Sequence, residues 1–511
     1  MRRKWIFTVL LLGALALAGC GNNAENPDAA ALTPTETATP TPSPTPTPFV
    51  PEVLGIYEAE EATLTGNVKV NKNYVEGFQK AETDSCTFTV TIEKDGFYDL
   101  VFRIASTSGK KLNPVVVDGT AVGDILTDAA YYQESVIDRV WLSEGEHSIA
   151  VGVSWGWIIL DKMTVQTAAP LPDDLYKAEA KLINPNATEE TKRLMSFLTD
   201  IYGKKILSGQ YCDDGPLGKE MQVIQNVTGK QPVILGMDLM DYNGVNQAHN
   251  SSRKLPLKAQ NFWNKGGIVT LCWHWNTSSE YATGEWYGTF YTDSTTFNLK
   301  KALNGQDPAG YDMLMKDIDN IAQPLLEIQA AGIPILFRPL LEASGGWFWW
   351  GASGPEAFKE LWVLLYNKLT NEYGLNNLIW VWNGQNADWY PGDEYVDIMG
   401  EDIYPGEKVY TSQATKFLEV AGYSTERKMV YLTENGCIFD PDLAVRDGAM
   451  WGMWATWQGE FVRKTGAITP KFSDQYTEEY MMKKAYDHEA VITLDEMPDL
   501  KTYPISESFN K

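Results

Sequence analysis

Apolar and polar positions divide the chain into stretches of different period. Residues 5–17 are almost wholly apolar behind Arg2, Arg3 and Lys4, and Leu17-Ala18-Gly19-Cys20 follows at once. That run is too short to span a bilayer and predicts an export signal over residues 1–20. Residues 21–52 have no apolar period and repeat Thr-Pro and Ser-Pro. Proline at alternate positions removes helix and sheet hydrogen bonds, which leaves an extended, solvated tether. Over residues 53–168 apolar and polar positions alternate in short runs, such as 87–92, 97–104 and 147–153, broken at Asp95-Gly96, Asp118-Gly119 and Glu144-Gly145. This spacing predicts a β-sandwich.

After a proline-marked hinge at residues 169–176, the period switches repeatedly between helix and strand over residues 177–500. A helix from about Thr188 places positions 194, 195, 198, 201 and 202 on one face and runs into a strand at 205–211. Further apolar runs occupy 232–238, 267–274, 333–340, 377–383, 395–400, 429–434 and 450–457, with helical segments at 217–228, 315–331, 356–373 and 411–421. Eight strands alternating with helices predict an α/β fold, a (β/α)8 TIM barrel preceded by the β-sandwich. The competing doubly wound sheet is disfavoured because no Gly-rich phosphate loop follows the first strand.

Charge narrows the partners. The 511 residues carry 42 basic against 67 acidic side chains, a formal charge of −25, which repels nucleic acid and anionic membrane surfaces. The 18 Trp and 25 Tyr exceed what a core of this size requires, and aromatic faces pack on the apolar faces of sugar rings. Cys86, Cys212, Cys272 and Cys437 are scattered in apolar surroundings, a pattern of free buried thiols rather than a metal site or disulfide framework. The four histidines, His147, His249, His274 and His488, show no ligand spacing.

Barrel enzymes carry their chemistry where strands end, and two carboxylates stand there. Glu342 closes the fourth run in Phe337-Arg338-Pro339-Leu340-Leu341-Glu342 and is followed by Trp347-Phe348-Trp349-Trp350; Glu434 closes the seventh. Glycoside hydrolysis with retention needs two such groups, one protonated to assist the leaving oxygen and one ionised to attack the anomeric carbon, roughly 5–5.5 Å apart.

These two motifs, together with Gly400-Glu401-Asp402-Ile403-Tyr404-Pro405 after the sixth strand, resemble family 26 glycoside hydrolases over residues 185–460. The resemblance implies an endo-β-1,4-mannanase with Glu342 as acid/base and Glu434 as nucleophile. It implies sugar-site roles for Arg338, which orients the carboxylates, and for His274, Trp347, Asp402 and Tyr404. One of Trp451, Trp454 and Trp457 takes the place of the platform under the reacting sugar, and Trp457, at the strand's end, is favoured. An insertion with Tyr281, Trp286, Tyr287, Phe290 and Tyr291 either extends the cleft or packs over the barrel. Two positions depart from the family: Leu341 stands where His contacts the 2-hydroxyl, and Ser344 where Asn is usual. Either another polar group such as His274 substitutes for that His, or the same machinery acts on xylan or mixed-linkage β-glucan. A surface glycan-binding protein that has lost catalysis is the non-enzyme alternative.

Over residues 53–168, Tyr57-Glu58-Ala59-Glu60, Phe97-Tyr98 and Gly156-Trp157-Ile158-Ile159-Leu160-Asp161 resemble carbohydrate-binding modules of family 35. That resemblance implies a structural calcium held by Glu58, Glu60 and Asp161, although both glutamates equally suit a solvated edge. Trp155 and Trp157 are candidate sugar platforms or buried sandwich residues. Leu17 to Cys20 resemble a bacterial lipobox, which implies lipidation at Cys20; ordinary cleavage without lipid is the alternative. The expected protein is an exported cell-surface lipoprotein, monomeric, with a β-glycan polysaccharide as partner and no cofactor for catalysis.

Overall fold

The computed structural model describes residues 49–510 except 155, 250, 252 and 253. The signal segment, Cys20, nearly all of the tether and Trp155 lie outside the described residues. From Val50 onward the chain forms one compact unit holding a sandwich and a barrel. Among the described residues no helix is long and apolar enough to cross a membrane.

Two antiparallel sheets make the sandwich. One runs Lys69–Asn71, Tyr74–Glu76, Ile159–Thr167, Gly96–Ala105, Gln133–Leu142, with Val53–Glu58 also paired to Ile159–Thr167. The other runs Thr63–Thr65, Ser85–Ile92, Gly145–Val151, Lys111–Val117, Thr120–Thr127. Alternation is what buries them: Cys86, Phe88, Val90 and Ile92 face Leu100, Phe102 and Ile104 across one apolar core.

Eight parallel strands close the barrel: β1 (Gly209–Tyr211), β2 (Ile234–Asp238), β3 (Ile268–Trp273), β4 (Ile335–Pro339), β5 (Leu378–Trp382), β6 (Ile398–Ile403), β7 (Val430–Asn435) and β8 (Trp454–Thr456). Most are buried on both faces, which is why they read as largely apolar runs, broken where Arg338 and Thr433-Glu434-Asn435 enter the site. Helices follow the expected order, and the first, Glu189–Ile201, is capped by the Thr188 side chain accepting from the Thr191 amide.

Two strands depart from the apolar pattern. The run at 205–211 splits at Ser208: Ile206–Leu207 pairs with Val491–Ile492 outside the barrel, and only Gly209–Tyr211 enters it. Gly209 permits that entry, since a Cβ there would lie 2.2 Å from the Trp454 carbonyl oxygen. The eighth strand is likewise short, because the chain before it crosses Tyr431 at Gly452, where a Cβ would meet that ring at 1.9 Å. The helix expected at 315–331 begins earlier, at Pro308, where Asp307 caps it by accepting from Gly310 N at 3.0 Å.

The segment read as a hinge is packed in place. Tyr176 donates from its hydroxyl to the Gly448 carbonyl at 2.5 Å and accepts from Met450 N at 3.2 Å. Sandwich and barrel also touch directly: the Arg446 guanidinium lies over the Trp141 ring at 5.2 Å, and Thr415 Oγ1 donates to Asp138 O at 3.3 Å.

Candidate active site

The end of β4 sets the geometry. After Pro339 the backbone enters the left-handed region at Leu340 (φ 53°) and again at Glu342 (φ 52°), conformations unfavourable for side chains of this size. Asn383, just past β5, holds the turn: Glu342 N donates to its carbonyl at 2.7 Å and to its Oδ1 at 3.0 Å. The Trp350 indole donates to Leu341 O at 2.8 Å from the other side. The double reversal turns Leu341 and Glu342 into a cleft of about 540 Å³ at the C-terminal mouth of the barrel, lined also by His274, Trp347, Tyr404, Glu434 and Trp457.

Arg338, four residues earlier on the strand, is fully buried and distributes its N–H groups among three partners. Nη1 donates to Asp402 Oδ2 at 2.7 Å, Nη2 donates to Glu434 Oε1, and Nε and Nη2 both donate to the Tyr211 hydroxyl at 3.3 and 2.9 Å. Tyr404 OH donates to the other Glu434 oxygen at 2.6 Å. Asp402 is fixed further by Thr433, whose hydroxyl donates to Oδ1 at 2.7 Å and accepts from Asn383 Nδ2 at 2.7 Å. One network therefore ties the ends of β1, β4, β5, β6 and β7.

Glu342 stands apart from the guanidinium. Its side-chain bond is from the Trp347 indole to Oε2, 2.9 Å. Burial and the nearby Asp402 and Glu434 carboxylates push its pKa up to about 9, against the smaller lowering by Trp347 and Arg338. One oxygen each from Glu342, Asp402 and Glu434 lie within 4.8 Å of one another. Such a pair, one carboxyl kept protonated and one gripped at both oxygens by donors, can give a proton to one side of a bond and a nucleophile to the other.

Of the sugar-site residues expected from sequence, His274, Trp347, Tyr404 and Trp457 line the cleft, whereas Arg338 and Asp402 are buried beneath it, Arg338 bonded to Glu434 and Asp402 to Thr433. Trp347 is 46% exposed, its ring folded over Gly345, where a Cβ would collide with the indole at 2.1 Å. Of the tryptophans of the eighth strand, Trp451 and Trp454 are fully buried, whereas Trp457 lines the cleft with its ring 4.7 Å from Tyr211 and 5.7 Å from His274. The insertion divides: Phe290 and Tyr291 line the cleft, Tyr281 is bonded to Asp307, and Trp286 stacks on His249 at 4.0 Å.

Sequence reasoning missed Tyr211, Asp238, Asn383 and Thr433. Three of them stand at or one residue past a strand end, so the strand-end rule applied to every strand, rather than to carboxylates alone, finds Tyr211, Asp238 and Asn383.

In the sandwich, Glu58, Glu60 and Asp161 are the acids expected to hold calcium. Asp161 is paired with Arg103 at 2.6 Å, and Glu58, Glu60 and Asp161 are not among the described carboxylate clusters whose oxygens lie within 4.8 Å. Glu60 does leave one buried oxygen without a hydrogen-bond partner. Trp157 is 57% exposed on a left-handed backbone (φ 62°) and is not a core residue. The four cysteines Cys86, Cys212, Cys272 and Cys437 are free and buried.

Two family profiles match the chain: glycosyl hydrolase family 26 over residues 183–486 and carbohydrate binding module family 35 over residues 55–168. A mannan endo-1,4-beta-mannosidase of Thermothelomyces thermophilus is 37% identical over 452 residues, which is 86% of this chain and 90% of that protein. Mannan endo-1,4-beta-mannosidase B of a Piromyces species is 34% identical, over 86% of this chain and 77% of its own length. The crystal structure of a Podospora anserina β-(1,4)-mannanase with a family 26 and a family 35 module matches with a TM-score of 0.61 at 34% identity, over 88% of this chain and 99% of that one.

Proposed function

The chain belongs to glycosyl hydrolase family 26 and carries a family 35 carbohydrate-binding module, and from that premise we propose that it is a retaining endo-β-1,4-mannanase. The observation that carries the mechanism is the proximity of Glu342 and Glu434, one oxygen of each lying within 4.8 Å of one of the other. Inversion needs roughly 6.5–9.5 Å between carboxyl groups to admit a water, whereas retention needs roughly 5–5.5 Å, and so close an approach of the two groups supports retention. Glu342 gives its proton to the glycosidic oxygen as that bond breaks, while a Glu434 oxygen bonds to the anomeric carbon. The resulting glycosyl ester is then cleaved by water, whose proton returns to Glu342. Arg338 and Tyr404, donating to both oxygens of Glu434, aim the nucleophile.

Mannan as substrate and endo action are supported by what the relatives are named. Leu341 favours a second reading in which the sugar preference has moved toward xylan or mixed-linkage β-glucan, since an apolar side chain lines the cleft beside the acid. Digestion of galactomannan, glucomannan, xylan and β-glucan with product sizing separates the two: internal cleavage of the mannans to short oligosaccharides is expected, and release from xylan or β-glucan alone overturns the mannanase reading. Proton NMR of the first product formed reads the stereochemistry; an initial α-anomer refutes retention.

The sandwich adds polysaccharide binding, with exposed Trp157 as its sugar platform. Calcium in it is supported by the unpartnered Glu60 oxygen alone, and a Tm that stays the same on chelation rules it out. Export and anchoring through a lipid on Cys20 rest on the sequence of residues 1–20; loss of membrane association in Cys20→Ala tests them.

A further inference from the structure

Beside the reacting carboxylates, the first three barrel strands end in a hydrogen-bonded chain with no assigned role. Asp238, the last residue of β2, accepts from His274 twice: from Nδ1 to Oδ2 at 2.6 Å and from the backbone N to Oδ1 at 3.0 Å. Oδ1 also accepts from Met240 N at 2.9 Å. Asp238 is itself braced from the loop after β1, because Asp213 Oδ1 accepts from Asp238 N at 3.0 Å while Asp213 Oδ2 accepts from Gln458 Nε2 at 2.6 Å. The His274 ring is walled by Phe290, Phe348 and Trp457 at 5.1, 5.5 and 5.7 Å. Asn243 Nδ2 fixes its carbonyl at 3.0 Å. Its Nε2 has no hydrogen-bond partner among the described residues, and the residue lines the same cleft as Leu341.

Resting on the retaining-hydrolase reading above, we propose that Asp238 is a positioning residue. It fixes His274 as a hydrogen-bond donor to a hydroxyl of the sugar lying on Trp457, and so provides the polar contact that Leu341 does not. With Nδ1 committed to a carboxylate, the ring cannot rotate and Nε2 alone meets substrate. The charged and titratable groups around it are Asp238 from β2, Asp213 from the loop after β1, Arg338 from β4, Glu434 from β7 and Cys272 on the strand that His274 follows. Burial disfavours the imidazolium, and Arg338 opposes it as well. The Asp238 and Glu434 carboxylates outweigh both, so the pKa of His274 is raised and the ring is a donor at both nitrogens nearer neutral pH. Asparagine at 238 would keep an oxygen for Nδ1–H but remove the charge, leaving a neutral ring whose Nε2 accepts rather than donates.

The test is the pH profile of kcat/KM for Asp238→Asn, His274→Ala and the double variant, on whichever polysaccharide the parent cleaves fastest in the panel above. Asp238→Asn should lose on the order of ten- to a hundredfold near pH 7 and recover most of it as pH falls below the lowered His274 pKa. The double variant should be no slower than His274→Ala. Losses that multiply in the double variant, or a loss independent of pH, would reduce Asp238 to a structural group. Asp238→Glu, which keeps the charge, should restore part of the rate, and it serves where the Asn variant does not fold. Independently of any variant in that position, imidazole ¹⁵N NMR of the parent, assigned by the resonance missing in His274→Ala, should show His274 titrating above an ordinary histidine; titration at or below that value overturns the proposal. A parent that spares mannan but cleaves another β-glycan refutes the mannanase reading and leaves Asp238 measurable on that glycan, whereas one that cleaves none refutes both.

Discussion

Tyr211→Phe removes a single oxygen from the centre of the site and tests whether the clamp on the carboxylates depends on it. That hydroxyl accepts from Nη2 of Arg338 at 2.9 Å and from Nε at 3.3 Å. Nη2 keeps Glu434 and Nη1 keeps Asp402, but Nε loses its partner in a place where neither side chain is open to solvent. An unsatisfied buried donor costs about 1–3 kcal/mol. If the guanidinium shifts to recover a partner, the displacement is passed to Glu434, and at about 1.4 kcal/mol per factor of ten the rate falls roughly ten- to a hundredfold. The phenyl ring still packs on Trp457, 4.7 Å away in the parent, so sugar binding should be little changed. Steady-state kinetics on a soluble oligosaccharide should therefore show kcat reduced with KM nearly constant, and thermal melting should show a lower transition for the barrel. A kcat within about twofold of the parent, with unchanged melting, would refute the clamp; a raised KM at constant kcat would place the role of Tyr211 under Trp457 instead.

Other outcomes follow from the same geometry. Glu342→Ala should slow natural glycans by several orders of magnitude more than aryl glycosides with good leaving groups, because only the former need its proton; equal losses on both remove the acid role. If Glu342 is the acid, as proposed, it acts protonated, and with its pKa raised kcat/KM should hold through neutral pH and fall only as pH rises through that value. Trp347→Phe removes the bond that lowers this pKa, so its alkaline limb should move upward, and a downward move contradicts the assignment. Trp157→Ala should weaken pull-down on insoluble polysaccharide while leaving kcat on short oligosaccharides unchanged, and a loss of kcat would refute a role confined to binding.

The fold class was legible because periodicity is local: alternation at 85–92 and the apolar runs at 268–273 and 378–382 report whether one face or both are buried. The two glutamates were legible because barrel chemistry gathers at strand ends. The tertiary structure alone decided which of three tryptophans faces the cleft: Trp451 before β8 and Trp454 at its start are buried, and only Trp457, one residue past its end, lines the cleft. It also decided the support: Tyr211 meets Arg338 across 127 positions of sequence, and Asp238 meets His274 across 36. The segment at Leu340 to Glu342 carries both lessons. Its sequence singled out Glu342 and the leucine before it, but the reversed backbone that turns Glu342 into the cleft, and the Asp-braced imidazole beside it, come from closing the barrel. Composition and periodicity record what a residue is and which face it occupies, whereas a proton's environment depends on groups that only closure brings within a few ångströms.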